Sequence, residues 1–257
     1  SSSKVDDAAA DATIFINQVT KRQSAQADVG FVMWPSAIVL SRWLMSNPRA
    51  IQSKSVLELG AGCGLVGIAA ARIIARYQFQ QQHEQRQTIN AERKGEVIIT
   101  DVNELVLENI SQNIRLNDVA SLASVAKLDF YSQSGRNSGT WLAGERRGVA
   151  ESEREPVDVI LAADIICQPS DAVAASKTIK DALRPEGVAY VVCATAQHRY
   201  GVEIFGNECK ERGLDVTARN VAEIYENHGE GMLLEEMQTA AGYVEGMELT
   251  FFEIHKG

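Results

Sequence analysis

The sequence predicts an α/β fold: a mostly parallel sheet of about seven strands with helices on both faces and the last strand antiparallel. Three observations carry this. Short apolar runs recur along the chain, amphipathic stretches at helical spacing alternate with them, and a glycine-rich turn joins the first run to an Ala-rich helix. With 257 residues, 45% of them hydrophobic, the chain is long enough for one such domain with a full core, and a single domain over 1–257 is expected.

The elements follow in order. Residues 1–28 form a polar N-terminal extension in which Ile14-Phe15-Ile16 could pair as an edge strand. "GFVMWPSAIVLSRWLMSN" (30–47) reads as a helix, with Pro35 at a first helical position and Ile38, Val39, Trp43 and Leu44 at helical spacing; Pro48 ends it. Val56–Leu59 is a buried strand and Leu65–Tyr77 a helix. Val97–Thr100 is the next strand, followed by a helix from Glu104 to Asn117 with Val106, Ile110 and Ile114 four apart. Val125–Leu128 and Val157–Ala162 are strands, Ser170–Leu183 is a helix, "PEG" (185–187) a turn and Val188–Ala194 a buried strand. Residues 200–213 are helical, and Leu214–Ala218 and Met247–Ile254 are the last strands. Two polar stretches, 78–95 (Gln-rich) and 132–155 (Ser/Gly/Arg/Glu-rich), interrupt the rhythm and read as mobile insertions.

Charge and composition narrow the function. With 25 basic against 34 acidic residues the net charge is −9, which argues against a general binder of nucleic acid. No apolar run approaches the roughly 20 residues of a membrane helix and no signal-peptide pattern is read, so no membrane partner is expected. Cys63, Cys167, Cys193 and Cys209 form no CxxC pair and the four histidines are scattered, so neither a metal site nor a disulfide framework is indicated. A cytoplasmic or nuclear protein, and a monomer, is the expectation.

The glycine turn, "LELGAGCGLVG" (57–67), suggests a nucleotide-like cofactor lying against the backbone. A dinucleotide fingerprint is G-x-G-x-x-G, and here Leu65 stands at its third position. The spacing is instead Gly60-x-Gly62-x-Gly64, preceded by acidic Glu58. That form resembles the first motif of S-adenosylmethionine-dependent methyltransferases, and the resemblance implies a ligand with cationic groups and no phosphate: glycines would allow its close approach, and Glu58 would supply compensating charge. A purely structural glycine turn is the competing reading.

Two further carboxylates stand at strand ends. Asp101, closing "EVIITD", is placed to accept from both hydroxyls of a ribose, or to cap the following helix. Its distance of 41 residues from Gly60 exceeds the usual spacing of about 20, and the Gln-rich insertion accounts for the excess. Asp164, in "VDVILAADIIC", lies just past the fourth main strand, at the sheet edge where ligands gather in open parallel sheets. It could position an incoming amine or cap the next helix.

With "MWPSA", "VLELGAGCGLVG", "TD" and "ILAADIIC" in this order, the chain resembles the eukaryotic methyltransferase-like protein-lysine methyltransferases over roughly residues 30–215. These are Rossmann-like seven-β-strand enzymes that modify non-histone proteins such as calmodulin, chaperones and translation elongation factors. The resemblance implies S-adenosyl-L-methionine as cofactor, S-adenosyl-L-homocysteine as product and a protein substrate. It implies that Trp34 covers the methionine end of the cofactor, Gly60, Ala61 and Gly62 form the turn beneath it, and Asp101 holds the ribose. Phe130 takes the place of a family tryptophan on the adenine, Ala163 lines the adenosine pocket, and Asp164 opens the motif associated with the substrate lysine. Cys167 stands where that motif ends in an aromatic residue; Tyr131, Tyr200 or Tyr225 could compensate in space. Cys167 as a nucleophile is weaker, since no partner histidine is identifiable.

The implied reaction is attack of a nitrogen lone pair on the sulfonium methyl group. Arginine, histidine or a small metabolite is the alternative acceptor, and a catalytically silent cofactor-binding scaffold is the alternative from another class.

Overall fold

The computed structural model describes residues 13–18, 26–84, 95–132, 141–143, 152–195, 197–225 and 230–257. A 3-10 turn, Gln26–Phe31, precedes helix α1, Pro35–Ser46. One helix over 30–47 was expected; the break has a local cause. Proline disfavours helical backbone in the residue before it, and Trp34 is extended (φ −98°, ψ 150°) as the N-cap of α1. The span Val29–Ser46 has a mean hydropathy of 1.2 over 18 residues, enough by length and composition to cross a membrane, which corrects the expectation that no run comes close. In the fold α1 turns Ile38, Val39, Leu40 and Leu44 into the core.

Strand β1 (Ser55–Leu59) leads through the glycine turn into α2 (Leu65–Glu84), then β2 (Glu96–Asp101), α3 (Glu104–Leu116) and β3 (Ala123–Lys127). Helix α2 runs seven residues further than expected, into the Gln-rich stretch, of which 85–94 lie outside the described residues. In the second insertion β4 (Trp141–Ala143) and β5 (Ser152–Arg154) pair antiparallel as a separate ribbon, and 133–140 and 144–151 lie outside the described residues. Strand β6 (Val157–Ala163), helix α4 (Pro169–Ala182), strand β7 (Leu183–Ala194), helix α5 (Val202–Glu211) and strand β8 (Leu214–Asn220) complete the alternation. Two short helices that the sequence pattern missed, α6 (Val221–Tyr225) and α7 (Glu230–Gln238), precede β9 (Leu249–Lys256).

The main sheet has seven strands in the order β3-β2-β1-β6-β7-β9-β8. All neighbours are parallel except β9, which is antiparallel to both β7 and β8, as expected for the last strand. Successive residues of each strand serve opposite faces. Val56, Ile99, Val159 and Val192 meet α1, α2 and α3, while Leu57, Ile98, Ile160 and Val191 meet α4 and α5. The "PEG" turn is a bulge inside β7: the register with β6 jumps from Val157↔Leu183 to Val159↔Val188, and Glu186 is left-handed (φ 63°).

The N-terminal segment Thr13–Gln18 pairs with side chains rather than with a strand. Phe15 donates its N–H to Asn117 Oδ1 (2.9 Å) and accepts from Asn117 Nδ2 (2.7 Å), and Asn17 donates to Asn113 Oδ1 (2.8 Å). Buried Asn113 also donates to the Cys63 carbonyl (3.0 Å), so α3 ties this segment to the glycine turn.

Candidate functional site

Chain order reverses between β1 and β6: from β1 the chain moves out to β2 and β3, then returns to β6 on the other side. In an open α/β sheet a crevice forms at the carboxyl ends of the strands at such a point. A cavity of about 570 Å³ lies there, within the range of small-molecule sites. Trp34, Glu58, Gly60, Ala61 and Gly62 line it, as do Asp101, Ala163 and Asp164. Of the residues singled out in the sequence, Phe130 stands back from this wall. It packs with Ile165 beneath the turn, where a Cβ at Gly60 would come 2.8 Å from Ile165 Cγ2 and 3.4 Å from the Phe130 ring.

The turn is held by its own hydrogen bonds. Gly60, Gly62 and Gly64 are all left-handed (φ 59°, 54° and 79°), a backbone region costly for residues with a Cβ. Ala61 N–H donates to the Thr100 carbonyl (2.9 Å), Gly62 N–H to Asp101 Oδ2 (3.1 Å) and Gly64 N–H to the Ala61 carbonyl (2.8 Å). These three donors are spent on the protein. In a pyrophosphate-binding turn such amides face the ligand instead.

The glycine that allows close helix–strand packing is Gly67, which the sequence reading passed over. A Cβ there would meet Glu58 Oε2 at 2.4 Å and Ile99 Cγ1 at 2.6 Å. Gly67 N–H donates to Glu58 Oε2 (2.9 Å). Glu58 is 2% exposed, and burial, opposed by that hydrogen bond and reinforced by the negative charge of Asp101, pushes its carboxyl pKa up to about 8. Its compensating charge is therefore latent at neutral pH. Asp101 also lies above the usual carboxylate range through burial, moderated by backbone donors.

Neither aspartate serves as a helix cap. Asn103 caps α3, accepting from Leu105 N–H (3.0 Å), while Asp101 Oδ1 accepts from Asn103 N–H (3.0 Å). Helix α4 starts with a capping box between Gln168 and Asp171. Asp164, itself left-handed (φ 56°), is freed for another partner: its side chain is 3% exposed, and Oδ2 lies 2.6 Å from Arg199 Nη2. The Arg199 guanidinium carbon lies 5.0 Å over the Trp34 ring, and Trp34 donates its indole N–H to the Val29 carbonyl (3.0 Å). Behind the indole, Gly242 (φ 73°) packs so closely that a Cβ would meet Trp34 Cζ3 at 2.2 Å.

Arg199 had no place in the sequence reading, nor did His198, which also lines the cavity. The signal was available: both follow the carboxyl end of β7, the edge that drew attention to Asp164. Of the three tyrosines, Tyr200 lines the cavity and is 78% exposed. Tyr131 donates to Asp171 beside the start of α4, and Tyr225 is buried against α1, donating to the Val39 carbonyl (3.0 Å). Cys167 lies at the cavity rim, and its N–H donates to Asp171 Oδ2 (2.9 Å). Among the described residues no cluster of His, Cys, Asp and Glu could hold a metal ion.

Comparison with known proteins agrees with this architecture. The chain is 26% identical over 199 residues to the protein-lysine N-methyltransferase EFM3 of Chaetomium thermophilum, covering 76% of this chain and 51% of that protein. It is 30% identical over 141 residues to the human protein-lysine N-methyltransferase EEF2KMT, covering 54% and 36%. The matched part is thus about half or less of these relatives' length. The crystal structure of precorrin-6y C5,15-methyltransferase from Geobacter metallireducens shares the fold, with a TM-score of 0.50 over 94% of each chain at 12% identity. The family model described as lysine methyltransferase matches residues 16–211, most of the chain and all of the cavity's glycine and acidic residues, so the chain belongs to the lysine methyltransferase family.

Proposed function

We propose that the chain is an S-adenosylmethionine-dependent protein-lysine N-methyltransferase acting on a non-histone protein. One observation carries the cofactor reading: three amides of the glycine turn are spent inside the protein while Glu58, Asp101 and Asp164 line the cavity. Such a turn offers a phosphate few free amides, and a cation beside Asp101 would draw the proton off Glu58, so the wall suits a ligand that carries positive charge and no phosphate; left-handed glycines leave a cradle that side chains would strain. Gly60, Ala61 and Gly62 would lie along the cofactor, Asp101 would accept from its ribose hydroxyls, and Trp34 would cover its amino-acid end. Bound S-adenosylmethionine supplies a methyl group already activated by the sulfonium. The chain's own tasks are to orient, to exclude water and to manage one proton. A lysine amine of pKa about 10.4 must lose its proton before it can react, and a desolvated approach beside cationic groups lowers that pKa. Asp164 would orient the amine at the sheet edge, with water as the final proton acceptor. The names of the relatives support a lysine of a protein as acceptor. The four cysteines, all free thiols, support a reducing compartment, cytoplasm or nucleus.

A second reading has one observation in its favour. Asp164 already has a cation 2.6 Å away, so a nitrogen that is neutral at pH 7, such as histidine or a small metabolite, would need no free carboxylate. The test is incubation of the purified protein with methyl-labelled S-adenosylmethionine and cell lysate, followed by mass spectrometry of the labelled protein. Label on a lysine side chain is expected. Label confined to histidine, arginine or small molecules would overturn the acceptor, and absence of any transfer would overturn the enzyme.

A further inference from the structure

Three carboxyl groups line the cavity, and among its described lining residues there is one strong cation, Arg199. A ligand carrying only positive charge would find no use for it. S-adenosylmethionine carries a sulfonium, an ammonium and a single anionic group, the α-carboxylate. The guanidinium presents five N–H groups in a fixed plane. Nη2 donates to Asp164 Oδ2 (2.6 Å) and Nη1 to the His198 carbonyl (3.0 Å), so each terminal nitrogen keeps a second hydrogen. Contact with the Trp34 ring fixes the plane beside the residue that would cover the amino-acid end. Left-handed Gly201, whose Cβ would collide with the Gln168 carbonyl at 2.6 Å, holds the turn that carries Arg199 against the start of α4.

We propose that Arg199 binds the α-carboxylate of S-adenosylmethionine and bridges it to Asp164. This rests on the cofactor reading above and adds a role for a residue which that reading leaves idle. Through the shared guanidinium, donor occupancy would steady the carboxylate that orients the acceptor.

The test needs no turnover. Calorimetry compares S-adenosylhomocysteine with its decarboxylated analogue, which keeps the adenosine, the thioether and the amine. Wild-type protein should bind the analogue roughly tenfold to a hundredfold more weakly, the range of a charge-assisted hydrogen bond. In R199M the two ligands should bind within about threefold of one another, and R199K should recover part of the difference. Equal binding of both ligands by wild-type protein overturns the inference and leaves the cofactor reading standing; that comparison holds even if R199M fails to fold. Wild-type discrimination retained in R199M likewise assigns the carboxylate to another group. Binding of neither ligand removes the cofactor reading, and the inference with it.

Discussion

Replacing Glu58 with glutamine tests the electrostatics of the glycine turn at its deepest point. Glu58 is 2% exposed, and its carboxyl titrates at about 8 rather than the ordinary 4.5 because burial penalises the charged form. Between these values the folded chain retains a proton that the unfolded chain has released. The contribution of Glu58 to stability is therefore complete at low pH and is lost as pH rises through about 8. At about 1.36 kcal/mol per unit of pH, integrated over the two titrations, the loss between pH 6 and pH 9 comes to about 2–3 kcal/mol. A glutamine there would keep an oxygen for Gly67 N–H but could not ionise. The assay is urea unfolding of both proteins at several pH values without ligand, comparing the difference between them so that groups common to both cancel. Wild type should weaken relative to E58Q by that amount over this window. Parallel curves would refute the reasoning, showing that Glu58 is ionised in the folded protein throughout. A cationic ligand should likewise release a proton from Glu58 on binding, with affinity rising from pH 6 to pH 8.

Other substitutions probe the remaining walls. Asp101→Ala should weaken S-adenosylhomocysteine binding by about 1–3 kcal/mol through lost charge-assisted hydrogen bonds and a loosened Gly62, measured by calorimetry. Asp164→Ala should abolish methyl transfer, and undiminished turnover would remove Asp164 from the acceptor site. Gly67→Ala should destabilise the fold by about 1–3 kcal/mol in denaturant melts, because its Cβ would press on Glu58 Oε2 and Ile99.

Much of the fold was legible because its information is local. Val106, Ile110 and Ile114 are four apart and do share the buried face of α3, and the apolar runs of β1, β2, β6 and β7 read as strands covered on both faces. What escaped was set by context. Pro35 divides the first helical stretch by restricting Trp34, and α2 extends into polar residues that carry no apolar period. The pairing of Thr13–Gln18 uses side chains some hundred residues away, Asn113 and Asn117, which no strand pattern encodes. Helices α6 and α7 are too short for periodicity to declare them.

By itself the sequence determined the alternating α/β plan, the G-x-G-x-G turn, and the acidic residues at the carboxyl ends of β1, β2 and β6. Each follows from near-neighbour rules: side-chain period, glycine's freedom at positive φ, and the tendency of parallel strands to present ligands at one edge. Only the tertiary structure decided what those residues are chemically. It buries Glu58 until its proton stays on near neutral pH, turns Asp101 onto the amide of Gly62, and gives Asp164 an arginine 35 residues further along the chain. Charge state and partnership depend on burial and on distances across the fold, and neither can be computed from spacing along the chain.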